Sequence, residues 1–125
     1  MNVKIDTKEK FTVITPELNN LSANMTEEIN ELLLPCLKKE PPHIVLNMSE
    51  VKEIDGKTAE LIAGIQQEFY QNNYSFVICQ VQETVRKILE EKDLLESMNI
   101  TPTESEAWDM VQMEEVEREL FRDEV

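Results

Sequence analysis

The chain has 125 residues, the size of one domain with one hydrophobic core, and its 41% apolar and 30% charged residues are a globular balance. Set against 12 basic residues, 26 acidic ones give a net charge of −14, which repels phosphate backbones and anionic lipid surfaces, so neither nucleic acid nor a membrane is an expected partner. No apolar run approaches the ~20 residues of a membrane span, and Met1 to Phe11 lacks an apolar signal core; with Cys36 and Cys79 far apart in apolar contexts, the expected compartment is the cytoplasm and both thiols are expected to be buried and free.

Val3-Lys4-Ile5 and Phe11-Thr12-Val13-Ile14 read as two short strands around a polar turn, Asp6 to Lys10. Pro16 closes the second, because it lacks the donor a ladder needs. Glu17 to Asn24 reads as polar loop, with Asn19, Asn20 and Ser22 as turn formers. Met25, Ile29, Leu32, Leu33, Cys36 and Leu37 then make a stripe at helical spacing, which Pro35 is expected to kink or end, since its ring clashes with the carbonyl four residues back. Beyond Pro41-Pro42, the run from His43 to Met48 is apolar in the continuous way of a strand buried on both faces.

At Ile54-Asp55-Gly56 the period changes. Leu61, Ile62, Ile65 and Phe69 mark one face of a helix, so a buried strand delivers the loop Asp55 to Thr58 to a helix N-terminus, the junction where open α/β folds meet ligands and partners. Gln71-Asn72-Asn73 ends that helix, and Ser75 to Cys79 is a second strongly apolar strand. Val85, Ile88 and Leu89 give another helix, and Ile100 a last short strand. Thr103-Glu104-Ser105-Glu106 has the form of a capping box and opens a final helix with Ala107, Trp108 and Val111 inward. The division expected is a domain over 1–113 and an acidic helical extension over 114–125. Alternating strands and helices imply a mostly parallel sheet with helices packed on it.

Little in the chain assembles chemistry. Gly56-Lys57-Thr58 matches the end of a phosphate-binding loop, but the pattern needs a glycine where Val51 stands. A receiver-like phosphoacceptor at Asp55 would need an acidic pair to help hold magnesium, where Thr15-Pro16-Glu17 stands, and a lysine after a later strand, where Cys79-Gln80-Val81 stands. Asp55 reads instead as a helix N-cap, and His43, the lone histidine, as a surface or strand-end residue. No nucleophile, base and oxyanion site comes together, so the chain is not read as an enzyme, and no metal or cofactor is expected.

Val45-Leu46-Asn47-Met48-Ser49-Glu50-Val51-Lys52-Glu53-Ile54-Asp55 followed by Gly56-Lys57-Thr58 resembles the signature of STAS domains of the bacterial anti-sigma-factor antagonist type: an apolar strand, a D-L-S-G-V-x-x-I-D segment, then S-S-G before an apolar helix. Pro16-Glu17-Leu18-Asn19 is similar to that family's G-E-L-D turn, Val85 to Leu89 to its third helix and Glu104 to Trp108 to its last. The resemblance implies an α/β fold with a four- to five-stranded mixed sheet and helices packed mainly on one face. It also implies a signalling module that binds a kinase-like anti-sigma factor, a histidine-kinase-like ATPase, and meets a PP2C-type phosphatase. In such proteins a kinase phosphorylates the second serine after the aspartate. Here Lys57 stands at that position and Gly56 at its neighbour, the family's turn aspartate is Asn19, and its strand-end aspartate is Asn47. Thr58 is the one hydroxyl left as a candidate phosphoacceptor. The reading preferred is constitutive docking through Asn19, Asp55, Gly56, Lys57, Thr58 and Glu60, with Ala59 and Ile62 at the edge of the contact. The alternatives are a homodimeric scaffold joined through the Met110 to Phe121 helix, and the phosphorylated receiver-like domain.

Overall fold

The computed structural model describes the backbone of residues 1–123 and the side chains of residues 1–121. In chain order its elements are β1 (Val3–Thr7), β2 (Phe11–Pro16), β3 (Asn20–Leu21), α1 (Thr26–Leu33), β4 (His43–Asn47), β5 (Glu53–Ile54), α2 (Gly56–Gln71), β6 (Phe76–Cys79), α3 (Glu83–Glu91), β7 (Ile100–Thr101) and α4 (Glu104–Asp123), with short 3-10 turns at Ala23–Met25 and Leu34–Lys38. Five strands form one mixed sheet in the order β1-β2-β4-β6-β7; β1 runs antiparallel to β2 and every other pair is parallel.

The sheet divides the core by the period of two that a pleated strand imposes. Ile14, Ile44, Leu46, Phe76 and Ile78 belong to a large cluster with residues of α1, α2 and α3, while Phe11, Val13, Val45, Val77 and Cys79 pack with Ala107 and Val111 of α4. Three helices therefore cover one face and one covers the other. Strand β4 lies in the middle and is buried at every position, which is why it reads as an unbroken apolar run. Phe69 meets Phe76 edge-on at 5.1 Å, and Phe11 stacks on Trp108 at 4.5 Å, one aromatic contact on each side of the sheet.

Local chemistry sets most boundaries. The α-helical stripe that starts at Thr26 stops at Leu33 and tightens into the 3-10 turn that holds Pro35, as the ring requires. Thr103 caps α4, its Oγ1 accepting the Glu106 N–H at 3.1 Å. Both cysteines are buried and free. The segment read as polar loop does contain a strand, β3, which pairs with β5 through only two residue pairs, Asn20 with Glu53 and Leu21 with Ile54. Two residues are too few to show a period.

Helix α4 is one uninterrupted helix of 20 residues, so the boundary expected between residues 113 and 114 lies inside it. Beyond that point Glu114, Glu115 and Arg118 still bond to the body of the molecule. Residues 124 and 125 of the expected extension lie outside the described residues. His43 is buried at the first position of β4 rather than on the surface, and it bonds to both Ser75 and Glu115.

Candidate partner-docking site

Strand β4 ends at Asn47, and the chain that follows is pinned on two sides before it reaches α2. The Asn47 side chain accepts the Ser49 N–H at 2.9 Å and donates to Glu104 at 3.2 Å. From the start of α3, Gln82 donates to the Ser49 carbonyl at 2.6 Å and Thr84 to the Lys52 carbonyl. From the other side, the Asn19 carbonyl accepts the N–H groups of Lys52 at 2.7 Å and Glu53 at 3.0 Å, and the β3–β5 pairing follows directly. The turn that carries Asn19 and the loop that carries Asp55 are thus joined through backbone, which brings together two stretches over thirty residues apart in sequence.

Asp55 is the N-cap of α2. Its Oδ1 accepts the Thr58 N–H at 2.8 Å and its Oδ2 accepts the Ala23 N–H at 2.9 Å, so one carboxylate closes the helix and ties it to the β3 side of the loop pair. The nearby Thr58 hydroxyl is the largest influence holding this carboxyl below its usual range, followed by the Ala23 and Thr58 N–H donors and the charge of Lys57. That hydroxyl faces the carboxylate without meeting hydrogen-bond geometry, so the two N–H bonds are what fix the cap.

Around this cap Asn19, Asp55, Lys57 and Glu60 are exposed and Gly56 is half-buried. Thr58 is 1% exposed, and its Oγ1 is buried without a hydrogen-bond partner. A kinase could reach it only if the first turn of α2 opened. Ala59 and Ile62 are core residues at 0% and 3% exposure, which corrects their expected place at the edge of a contact. Helix periodicity explains the correction: both lie on the face that α2 turns to the sheet.

Lys92 belongs to the surface although nothing in the local sequence placed it there. It caps the C-terminus of α3, and its side chain lies across Gly56, where a Cβ would run into Lys92 Cε unless the lysine shifted. Its Nζ stands 3.7 Å from Glu60 Oε1. Only the packing of α3 beside α2 creates this neighbour. With no side chain at position 56, Lys92 lies across the glycine and brings a second ammonium beside Lys57 at the helix N-terminus. Among the described residues no group of three His, Cys, Asp or Glu side chains is placed to hold a metal ion.

Residues 2–107 match the family model of the STAS domain. No curated protein sequence matches the chain. Among solved structures, a proposed anti-sigma factor antagonist of Thermotoga maritima is similar with a TM-score of 0.79 and 21% identity, over 88% of this chain and 94% of that one. An anti-sigma-factor antagonist (STAS) domain protein of Planctomyces limnophilus is similar with a TM-score of 0.76 and 18% identity, over 88% of this chain and 97% of that one. The anti-sigma factor antagonist SpoIIAA in its unphosphorylated form is similar with a TM-score of 0.70 and 20% identity, over 89% of this chain and 96% of that one.

Proposed function

Because this chain belongs to the STAS domain family, we propose that it is a protein-interaction module of a bacterial signalling circuit, an anti-sigma-factor antagonist that docks on a kinase-like anti-sigma factor without a phosphorylation switch. The docking surface is the exposed loop Asp55 to Lys57 with Asn19 and Glu60 beside it, and the protein acts in the cytoplasm by binding rather than by catalysis.

One observation carries this reading: no exposed hydroxyl exists between Asp55 and Glu60. Lys57 is exposed at the position that the family resemblance gives to the phosphorylated serine, Gly56 has no side chain, and Thr58 is buried. Phosphorylation would add about −1.5 to −2 charges at a helix N-terminus. A lysine adds a charge of the opposite sign, permanently, so it cannot imitate that state. An ammonium there favours an acidic or carbonyl-rich partner surface at all times.

The test is affinity capture of the intact chain from its own cell extract, with mass spectrometry of what it retains and of the bait itself. Recovery of a histidine-kinase-like ATPase or a PP2C-type phosphatase, with a bait of unmodified mass, is the expected result. Phosphate on Thr58 would overturn the constitutive reading. With the partner in hand, Lys57→Glu is expected to weaken binding by about 1–3 kcal/mol, the range of charge-assisted hydrogen bonds. Unchanged affinity would remove the loop from the interface.

A further inference from the structure

The distal part of α4 has two faces of opposite chemistry, and the apolar one points outward. Inward, Glu115 accepts from His43 Nε2 at 2.8 Å while His43 Nδ1 accepts the Ser75 N–H at 2.9 Å. Tyr70 donates to Glu114 at 2.8 Å, and Arg118 donates to Ser75 Oγ at 2.9 Å with its guanidinium over the Tyr70 ring. Outward, Met113, Val116, Leu120 and Phe121 are 63%, 54%, 59% and 67% exposed. These are four of the seven large apolar side chains exposed among the described residues, gathered within nine positions of one helix.

An amphipathic helix normally turns its apolar side to the core. Here the polar seam takes the inner positions and holds the helix, leaving a stripe at the three- and four-residue spacing of Met113, Val116 and Leu120. Asp109, Gln112 and Glu117 line a shallow depression with Met113 and Val116. An apolar patch rimmed by polar groups is the signature of an interaction site.

We propose that this stripe is a second docking surface, and that its occupant is an amphipathic helix of another protein with an apolar ridge flanked by lysine or arginine. The charge around the stripe selects that chemistry. Among the described side chains the exposed charged flanks are Asp109, Glu117 and Glu119, while Arg118 is turned inward to Ser75 and Tyr70. A second copy of this chain would bring those carboxylates against their equivalents, with −14 charges on each side. A cationic helix neutralises the rim, and its apolar ridge can pack on Met113, Val116 and Leu120 over the shallow depression beside the first two.

The place is separate from the Asp55 loop. Glu104, at the start of α4, meets Asn47 at the end of β4 from which that loop departs, whereas Glu115 meets His43 at the opposite end of β4. The sixteen helical steps from Glu104 to Leu120 span about 24 Å. The stripe can therefore be filled whether or not the loop is, and this inference stands independently of the loop reading.

The probe is a synthetic helical peptide with leucines at heptad spacing and lysines flanking them, compared with a twin in which the lysines are glutamates. Binding to the intact protein is followed by fluorescence anisotropy and by amide chemical shifts. The lysine peptide is expected to bind, to shift amides of residues 109–121, and to lose at least about tenfold in affinity against the Val116→Lys, Leu120→Lys double variant. Both replaced side chains are more than half exposed, and an unchanged circular dichroism spectrum checks that the variant folds. Equal binding of the glutamate twin, unchanged affinity of the double variant, or shifts scattered over the acidic surface would each overturn the proposal. So would a dimer by sedimentation that the double variant dissolves, or capture of the protein by phosphatidylcholine vesicles.

Discussion

At Asn47 the side chain works in two directions, accepting from Ser49 N–H and donating to Glu104, in a position only 8% exposed. The family pattern has an aspartate there. In this chain an aspartate would keep the Ser49 bond but would face the Glu104 carboxylate at about the 3.2 Å now bridged by a donor. Like charges at that separation and that burial repel, and the lost donor adds to the cost. Asn47→Asp is expected to destabilise the fold by about 1–3 kcal/mol at neutral pH, measured by urea unfolding. Glu104→Gln is expected to recover most of that loss, because it removes one charge and returns a donor. A double-mutant cycle with no coupling between the two positions would show that Asn47 and Glu104 do not meet in solution. The sequence showed the departure from the family residue without showing the Glu104 carboxylate that Asn47 meets.

Helix α2 shows how far element-level reading reaches. Its inner face, its cap at Asp55 and its end near Gln71 were all legible, because periodicity and capping are local. Pro35 likewise announced the end of α1. Strands β3 and β5 were not legible, since their two-residue pairing depends on the Asn19 carbonyl meeting a loop distant in sequence. For α4 the start could be read from Thr103, but not the docking of its distal half. That depends on His43 of β4 and on Tyr70 of α2, a helix on the opposite face of the sheet, and both meet α4 only once the chain is folded. In the candidate loop the cap at Asp55 was legible and Thr58 was expected to face outward, but the ~100° of rotation between adjacent helical residues turns Lys57 to solvent and Thr58 inward. Gly64 remains unexplained by the fold. It is exposed inside α2 and a Cβ there would meet nothing within 4 Å, so Gly64→Ala is expected to raise stability by about 0.5–1 kcal/mol through backbone entropy and helix propensity. Urea midpoints at constant slope would measure it, and a loss instead of a gain would mean that the helix does not continue through this position in solution.

Over the whole molecule, the second face of the sheet is closed by a helix whose hold is apolar near Ala107 and Val111 and polar from Glu114 onward. That seam is expected to make the fold sensitive to alkaline pH. Burial first, and the Glu114 charge second, push the Tyr70 phenol well above its ordinary value of 10.0. On the same face, burial and the Glu104 charge push the Cys79 thiol from 9.0 to about 12. Both groups are neutral when protonated, and the folded state keeps them so after the unfolded chain has begun to release its protons. Stability from these groups is therefore fully present below about pH 9 and is lost as pH climbs from there, through 10 and toward the folded values, with a slope of at most about 1.4 kcal/mol per pH unit for each group. Urea unfolding followed by Trp108 fluorescence, which reports the stack on Phe11 beneath α4, is expected to show a level plateau at neutral pH and a steepening decline above it. Tyr70→Phe is expected to cost stability at neutral pH, since Asn99 donates to that hydroxyl at 2.6 Å and Glu114 accepts from it, yet to flatten the alkaline decline above pH 10. An alkaline slope identical in the two proteins would mean that the phenol titrates freely in the folded state, and with that the polar seam under the distal half of α4 would not be closed.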